Sequence, residues 1–162
     1  MTVEMMGQTG QEAVDPYRAP AGLQYAVLAV DSYGLGVLLV EEILAEGEGK
    51  AKILNGGTVP MGAQPVLVAQ YTAYGTASLE PMIQQWPAHV PRPWAVLLAD
   101  VPGPPPVAAR YRIRALSARF AGVVHLRYMP ALREAVTARE AMKDKKTLAE
   151  AVRLRRAIGG TK

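Results

Sequence analysis

Four short apolar runs recur along the chain: Tyr25–Val30, Pro65–Tyr71, Trp94–Asp100 and Gly122–Tyr128. Val, Leu and Ala follow one another in them with little polar alternation, as in strands covered on both faces of a parallel sheet. Strands of that kind need helices above and below, and the segments between the runs supply them. Val37 to Glu46 reads as a helix stopped at Gly47. Ser78 to Trp86 places Leu79, Met82, Ile83 and Trp86 on one helical face, with Pro81 in the first turn. Val107 to Phe120 places Ala109, Ile113, Leu116 and Phe120 on one face, with Arg110 and Arg114 on another. Pro130 opens a further helix through about Met142. Thr147-Leu-Ala-Glu150 has the form of a capping box for a last helix ending near Ile158. A weaker strand-like piece, Ala51–Leu54, is followed by the turn Asn55-Gly-Gly57. This alternation predicts right-handed βαβ crossovers and a three-layer α/β fold. Its sheet is mainly parallel with helices on both faces, a Rossmann-like architecture.

At 162 residues, half of them hydrophobic, the chain suits one domain. Residues 1–22 are polar, with Gly7, Gly10, Pro16 and Pro20, and are expected to form a flexible tail ahead of a single domain at 23–162. Cysteine is absent, which excludes a disulfide framework, a thiolate metal site and a Cys nucleophile. The most apolar stretch, Leu23 to Leu44, is interrupted by Asp31, two glycines and the Glu41-Glu42 pair, so no membrane span is expected. Glu4, Glu12 and Asp15 stand where a secretory signal would be basic and then apolar. The cytoplasm is the expected compartment.

Charge is divided unevenly. Residues 1–81 carry three basic side chains against nine acidic ones, a net of −6, and residues 82–162 carry fifteen against five, a net of +10. Arg110, Arg114, Arg127, Arg133, Arg153 and Arg156 stand out as candidates to meet a phosphate backbone or an acidic partner, with Arg153 and Arg156 three apart on one helix. Nonspecific DNA, a protein partner and a homo-oligomer joining acidic to basic halves all fit this asymmetry. Only Tyr111, Phe120 and Tyr128 interleave the basic residues, which is no stacking platform for single strands. Glu140 and Asp144, and Glu150 with Arg153, can absorb part of the charge within helices.

Ligands of an open α/β sheet sit beyond the carboxyl ends of its strands. Here that brings in Asp31–Gly36, Tyr71–Gly75, Asp100–Gly103 and Arg127–Pro130. The first, with Asp31, Ser32, Tyr33, Gly34 and Gly36, has the strand–turn–helix setting of an anion loop. A phosphate loop also needs Lys beside Ser or Thr at the helix start, and Gly36, Val37, Leu38 and Leu39 stand there instead. Catalysis is therefore not expected, nor a cofactor. The enzymatic alternative is a magnesium-dependent phosphoryl site using Asp31 and Asp100, with Ser32 or Arg127 toward phosphate. His89 falls in a Pro-flanked loop and His125 inside a strand, so the two make no metal or triad constellation.

The succession of Ala26–Val30 with its turn and helix, Pro65-Val-Leu-Val-Ala-Gln-Tyr-Thr-Ala-Tyr-Gly75, Trp94-Ala-Val-Leu-Leu-Ala-Asp-Val-Pro-Gly103 and Val123-Val-His-Leu-Arg-Tyr-Met-Pro-Ala-Leu-Arg133 resembles the partitioning-type (ParA/MinD-like) P-loop ATPases. The likeness is strongest to their short, divergent actinobacterial relatives and spans about residues 24–136. In that family the first loop carries Walker lysines and a Thr, and this chain departs at each position. The resemblance implies a P-loop-like fold without hydrolysis, a pseudo-ATPase that keeps partner or DNA binding in its basic C-terminal half.

Overall fold

The computed structural model describes residues 23–54 and 58–159; the expected tail at 1–22 and the turn Asn55–Gly57 lie outside them. Five strands, β1 (Tyr25–Ala29), β2 (Ala51–Ile53), β3 (Gln64–Gln70), β4 (Trp94–Leu98) and β5 (Gly122–Leu126), form one sheet in the order β2-β1-β3-β4-β5. Every pairing is parallel, so the weak Ala51–Leu54 piece is a genuine fifth strand, held at one edge by three register pairs with β1.

The layers follow from the period of two along each strand. Val66 and Val68 of β3, Val96 and Leu98 of β4, and Val124 and Leu126 of β5 face one side. There they pack on α1 (Leu35–Ala45), on α6 (Lys145–Gly159), and on residues around the short helices α4 (Ala131–Glu134) and α5 (Ala138–Ala141). Leu67, Ala69, Ala95 and Leu97 face the other side, under α2 (Ala73–Gln84) and α3 (Val107–Leu116). Leu39, Ile43, Leu67, Leu79, Leu97 and Leu154 are fully buried, each contributing about 1.5–3 kcal/mol through the apolar area it removes from water.

Several boundaries differ from the sequence expectation, each for a physical reason. Helix α2 begins at Ala73, not Ser78, because Thr72 caps it by accepting from Gly75 N at 2.9 Å. Gly75 is therefore a helix residue rather than a turn residue. A Cβ there would collide with the Gln70 carbonyl, so only glycine lets α2 start this close to the end of β3. Pro81 consequently lies inside the helix, on its exposed side. Gly36 likewise sits in the first turn of α1, where a Cβ would come within 2.6 Å of Leu98 Cδ1. The single helix expected from Pro130 to Met142 is two short ones, broken at Ala135, whose backbone is extended. Thr137 starts the second by accepting from Glu140 N. In α6 the capping box is not used: Asp144 Oδ2 accepts from Lys146 N and Thr147 N, Thr147 is buried, and Glu150 turns toward the sheet.

Candidate functional site

Sheet order reverses direction between β1 and β3, since β1 is followed outward by β2 and β3 by β4 and β5. That switch point opens at the carboxyl edge. Asp31 stands in it and serves the fold there, for its Oδ1 accepts from Gln70 N at 3.2 Å and prolongs the β1–β3 ladder by one rung. Asp100 lies past the end of β4 and is exposed. It contributes to two crevices, one of 280 Å³ between Tyr71, Thr72 and the Pro104–Pro106 run, the other of 210 Å³ between Leu35, Gly36, Gln70, Tyr128 and Arg133. Asp31 lines neither of these crevices.

The Asp31–Gly36 loop is plain backbone. Gly34 is extended, with φ −164°, and its carbonyl accepts from Val37 N and Leu38 N at the start of α1. No residue from 31 to 36 adopts a positive φ, so the alternation of right- and left-handed residues that forms an anion nest is absent. Ser32, Tyr33 and Gly34 are exposed, and Gly36 borders the 210 Å³ crevice.

The basic residues divide by what they touch. The Arg153 guanidinium donates to the His125 carbonyl at 2.9 Å and pairs with Glu150 at 2.6 Å. Glu150, buried, accepts from Arg127 N at 2.9 Å. These two side chains thus engage the carbonyl of residue 125 in β5 and the amide of residue 127 just past its end, the groups that one residue of a further parallel strand would take. Arg155 donates to the Ile43 carbonyl and lies 4.0 Å from Glu46, Arg139 lies 3.8 Å from Glu42, and Arg112 joins α3 to α2 through Glu80, the Thr76 hydroxyl and the Ala73 carbonyl. Arg156 is exposed at the amino end of the sheet, in a crevice with Gln24 and Tyr25, while Arg153 is tied to His125 and Glu150.

By contrast, Arg110, Arg114, Arg119, Arg127 and Arg133 are exposed and pair with no carboxylate among the described residues. Three of them lie on or just after α3. The solvent face of that helix and the turn after it reads Val107, Ala108, Arg110, Tyr111, Arg114, Ala115, Ala118 and Arg119, all exposed. No acidic residue stands anywhere between Asp100 and Glu134. The Arg114 guanidinium lies 5.9 Å from the centroid of the Tyr111 ring.

A second exposed tyrosine stands on the helix packed beside α3, which the local sequence did not reveal. Phe120 is buried and Tyr128 half-buried, so of the three aromatics interleaved with arginine only Tyr111 faces solvent. The sheet brings up another from the acidic half: Tyr74, in the first turn of α2, is 71% exposed, and Tyr111 is 63% exposed. The only sequence signal for Tyr74 was its place after β3.

Beneath this surface, His125 packs edge-on against Tyr71, ring centroids 4.8 Å apart, and its Nε2 is buried without a hydrogen-bond partner. Burial, assisted by Arg153 and Arg127 and opposed by Glu150, holds the imidazole below its ordinary 6.5. Burial likewise raises the Tyr71 phenol, with Arg110 acting the other way. His89 is exposed and borders a separate, largely apolar crevice with Val59, Met61 and Val90. Among the described residues no three His, Asp or Glu side chains group as metal ligands, and no helix is long and apolar enough to cross a membrane.

No family model, curated protein or solved structure matches the chain.

Proposed function

We propose that the protein is a non-catalytic binding module that receives the phosphate backbone of nucleic acid on the outer face of α3. The observation that carries this is the acid-free surface of Arg110, Arg114 and Arg119, set among alanines that let a backbone approach closely. Unpaired guanidiniums in water are available to replace the counterions of a polyphosphate, and the release of those ions drives association. Nothing on this face reads base edges in a fixed register, so affinity is expected to be nonspecific in sequence. The resemblance to partitioning-type ATPases enters here as part of the proposal, that of a fold kept without its Walker side chains.

Fluorescence anisotropy with labelled DNA at low salt tests it. Binding is expected to weaken steeply as salt rises, and Arg110→Gln/Arg114→Gln/Arg119→Gln is expected to abolish most of it. A triple variant that binds like the parent would overturn the assignment.

A further inference from the structure

We infer that the α2–α3 surface prefers unpaired nucleic acid to duplex, a refinement that rests on the phosphate-binding role proposed for α3. A duplex offers its phosphates and hides the faces of its bases, so it has use for arginines but none for exposed rings. Here two rings stand out. Tyr74 and Tyr111 are 71% and 63% exposed on adjacent helices of one layer. Arg112 ties these helices together through the Ala73 carbonyl and the Thr76 hydroxyl. Small exposed residues stand near both rings in sequence, Ala73 and Ala77 on α2 and Ala108 and Ala115 on α3, while Val107 and Arg114 also flank Tyr111, the Arg114 guanidinium 5.9 Å from its ring centroid.

A tyrosine ring carries a large apolar area at low conformational cost, and stacking on it tolerates any base. Arginines on α3 supply the second element of a single-strand site, cations that follow the phosphates while the bases turn toward the rings. The same surface lacks the exposed Leu, Ile or Phe cluster of an apolar protein interface. Along α3 the charge has one sign, which suits a polyanion, and the one carboxylate of α2, Glu80, is paired with Arg112.

The test uses the full chain, a labelled unstructured DNA strand of about twenty nucleotides, several times the minimum such sites contact, and the matching duplex, at low salt. The single strand is expected to bind more tightly than the duplex. Tyr74→Ala and Tyr111→Ala are each expected to weaken single-strand binding about tenfold while leaving duplex binding unchanged, and Tyr74→Phe and Tyr111→Phe to retain it. Both positions are exposed, so thermal melts of the variants are expected to match the parent. Equal affinity for both forms, or alanine variants that bind single strands normally, would overturn the preference for unpaired strands and leave the phosphate-binding role standing if the arginine variant still loses binding. Failure of either DNA to bind at low salt would overturn both. Self-association abolished by the tyrosine variants would assign the surface to a second copy instead.

Discussion

The two helical layers differ in how many of their arginines the fold takes up: three on the side of α1 and α6, where Arg133 and Arg156 stay exposed, and one on the side of α2 and α3. On the side of α1 and α6, Arg139, Arg153 and Arg155 reach back to Glu42, Glu150, Glu46 and the carbonyls of His125 and Ile43. On the side of α2 and α3, Arg112 does the same, but Arg110, Arg114 and Arg119 face water with no carboxylate beside them. Net charge does not distinguish these cases. A guanidinium with a buried carboxylate and an orphan carbonyl in reach becomes part of the fold, and one on an acid-free helix face stays available to an outside anion.

The strongest way to break this comparison is to remove the clamp. Glu150→Ala leaves the Arg127 amide and the Arg153 guanidinium without their acceptor, and is expected to cost about 3 kcal/mol in a urea titration. It also bares part of the β5 edge, so sedimentation is expected to show self-association at high concentration. An unchanged urea midpoint would mean that Glu150 and Arg153 are as dispensable as surface charges. Next in size, Gly75→Ala forces α2 away from the Gln70 carbonyl and is expected to cost about 2 kcal/mol. Gly34→Ala, in open space with an extended backbone, is expected to leave the melting temperature almost unchanged.

A smaller effect concerns His125. Its folded form is held below the ordinary 6.5, so the unfolded chain binds the proton more readily. The stability it provides is therefore complete above about pH 6.5 and is lost as pH falls from there through the folded value. Denaturant midpoints measured across that range are expected to drop toward acid, and His125→Phe to flatten the drop; a His125→Phe profile parallel to the parent's would remove the histidine from the account. The smallest effect is expected on the open layer, where Arg114→Gln and Arg119→Gln change stability by no more than about 0.5 kcal/mol, whatever they do to binding.

Much of this fold was legible because buried parallel strands announce themselves: the residues of β1, β3, β4 and β5 are apolar on both faces, and the sheet uses both. The three residues of β2 are too few to carry a pattern, and that strand exists by pairing with β1. Gly36 and Gly75 misled for a common reason. A glycine that marks a turn and one that lets a helix pack against a strand look alike in sequence, and only the neighbour in space, Leu98 or the Gln70 carbonyl, separates them. Thr147 and Glu150 show the same limit, since a capping-box spacing says nothing of the β5 amide that claims the glutamate. The basic residues were all visible in the sequence. Which of them the fold consumes, and that the helix of Tyr74 packs beside the helix of Tyr111, depend on contacts between distant segments.

The salt dependence of DNA binding tests the division between the layers most directly. For single strands, log Kd changes by about 0.7 per decade of salt for each phosphate neutralised, so Arg110→Gln/Arg114→Gln/Arg119→Gln is expected to lower the slope by about 2. Arg139→Gln/Arg155→Gln, on the opposite layer, is expected to leave it unchanged. A slope that falls with the second pair and not with the first three would contradict the division between structural and available arginines.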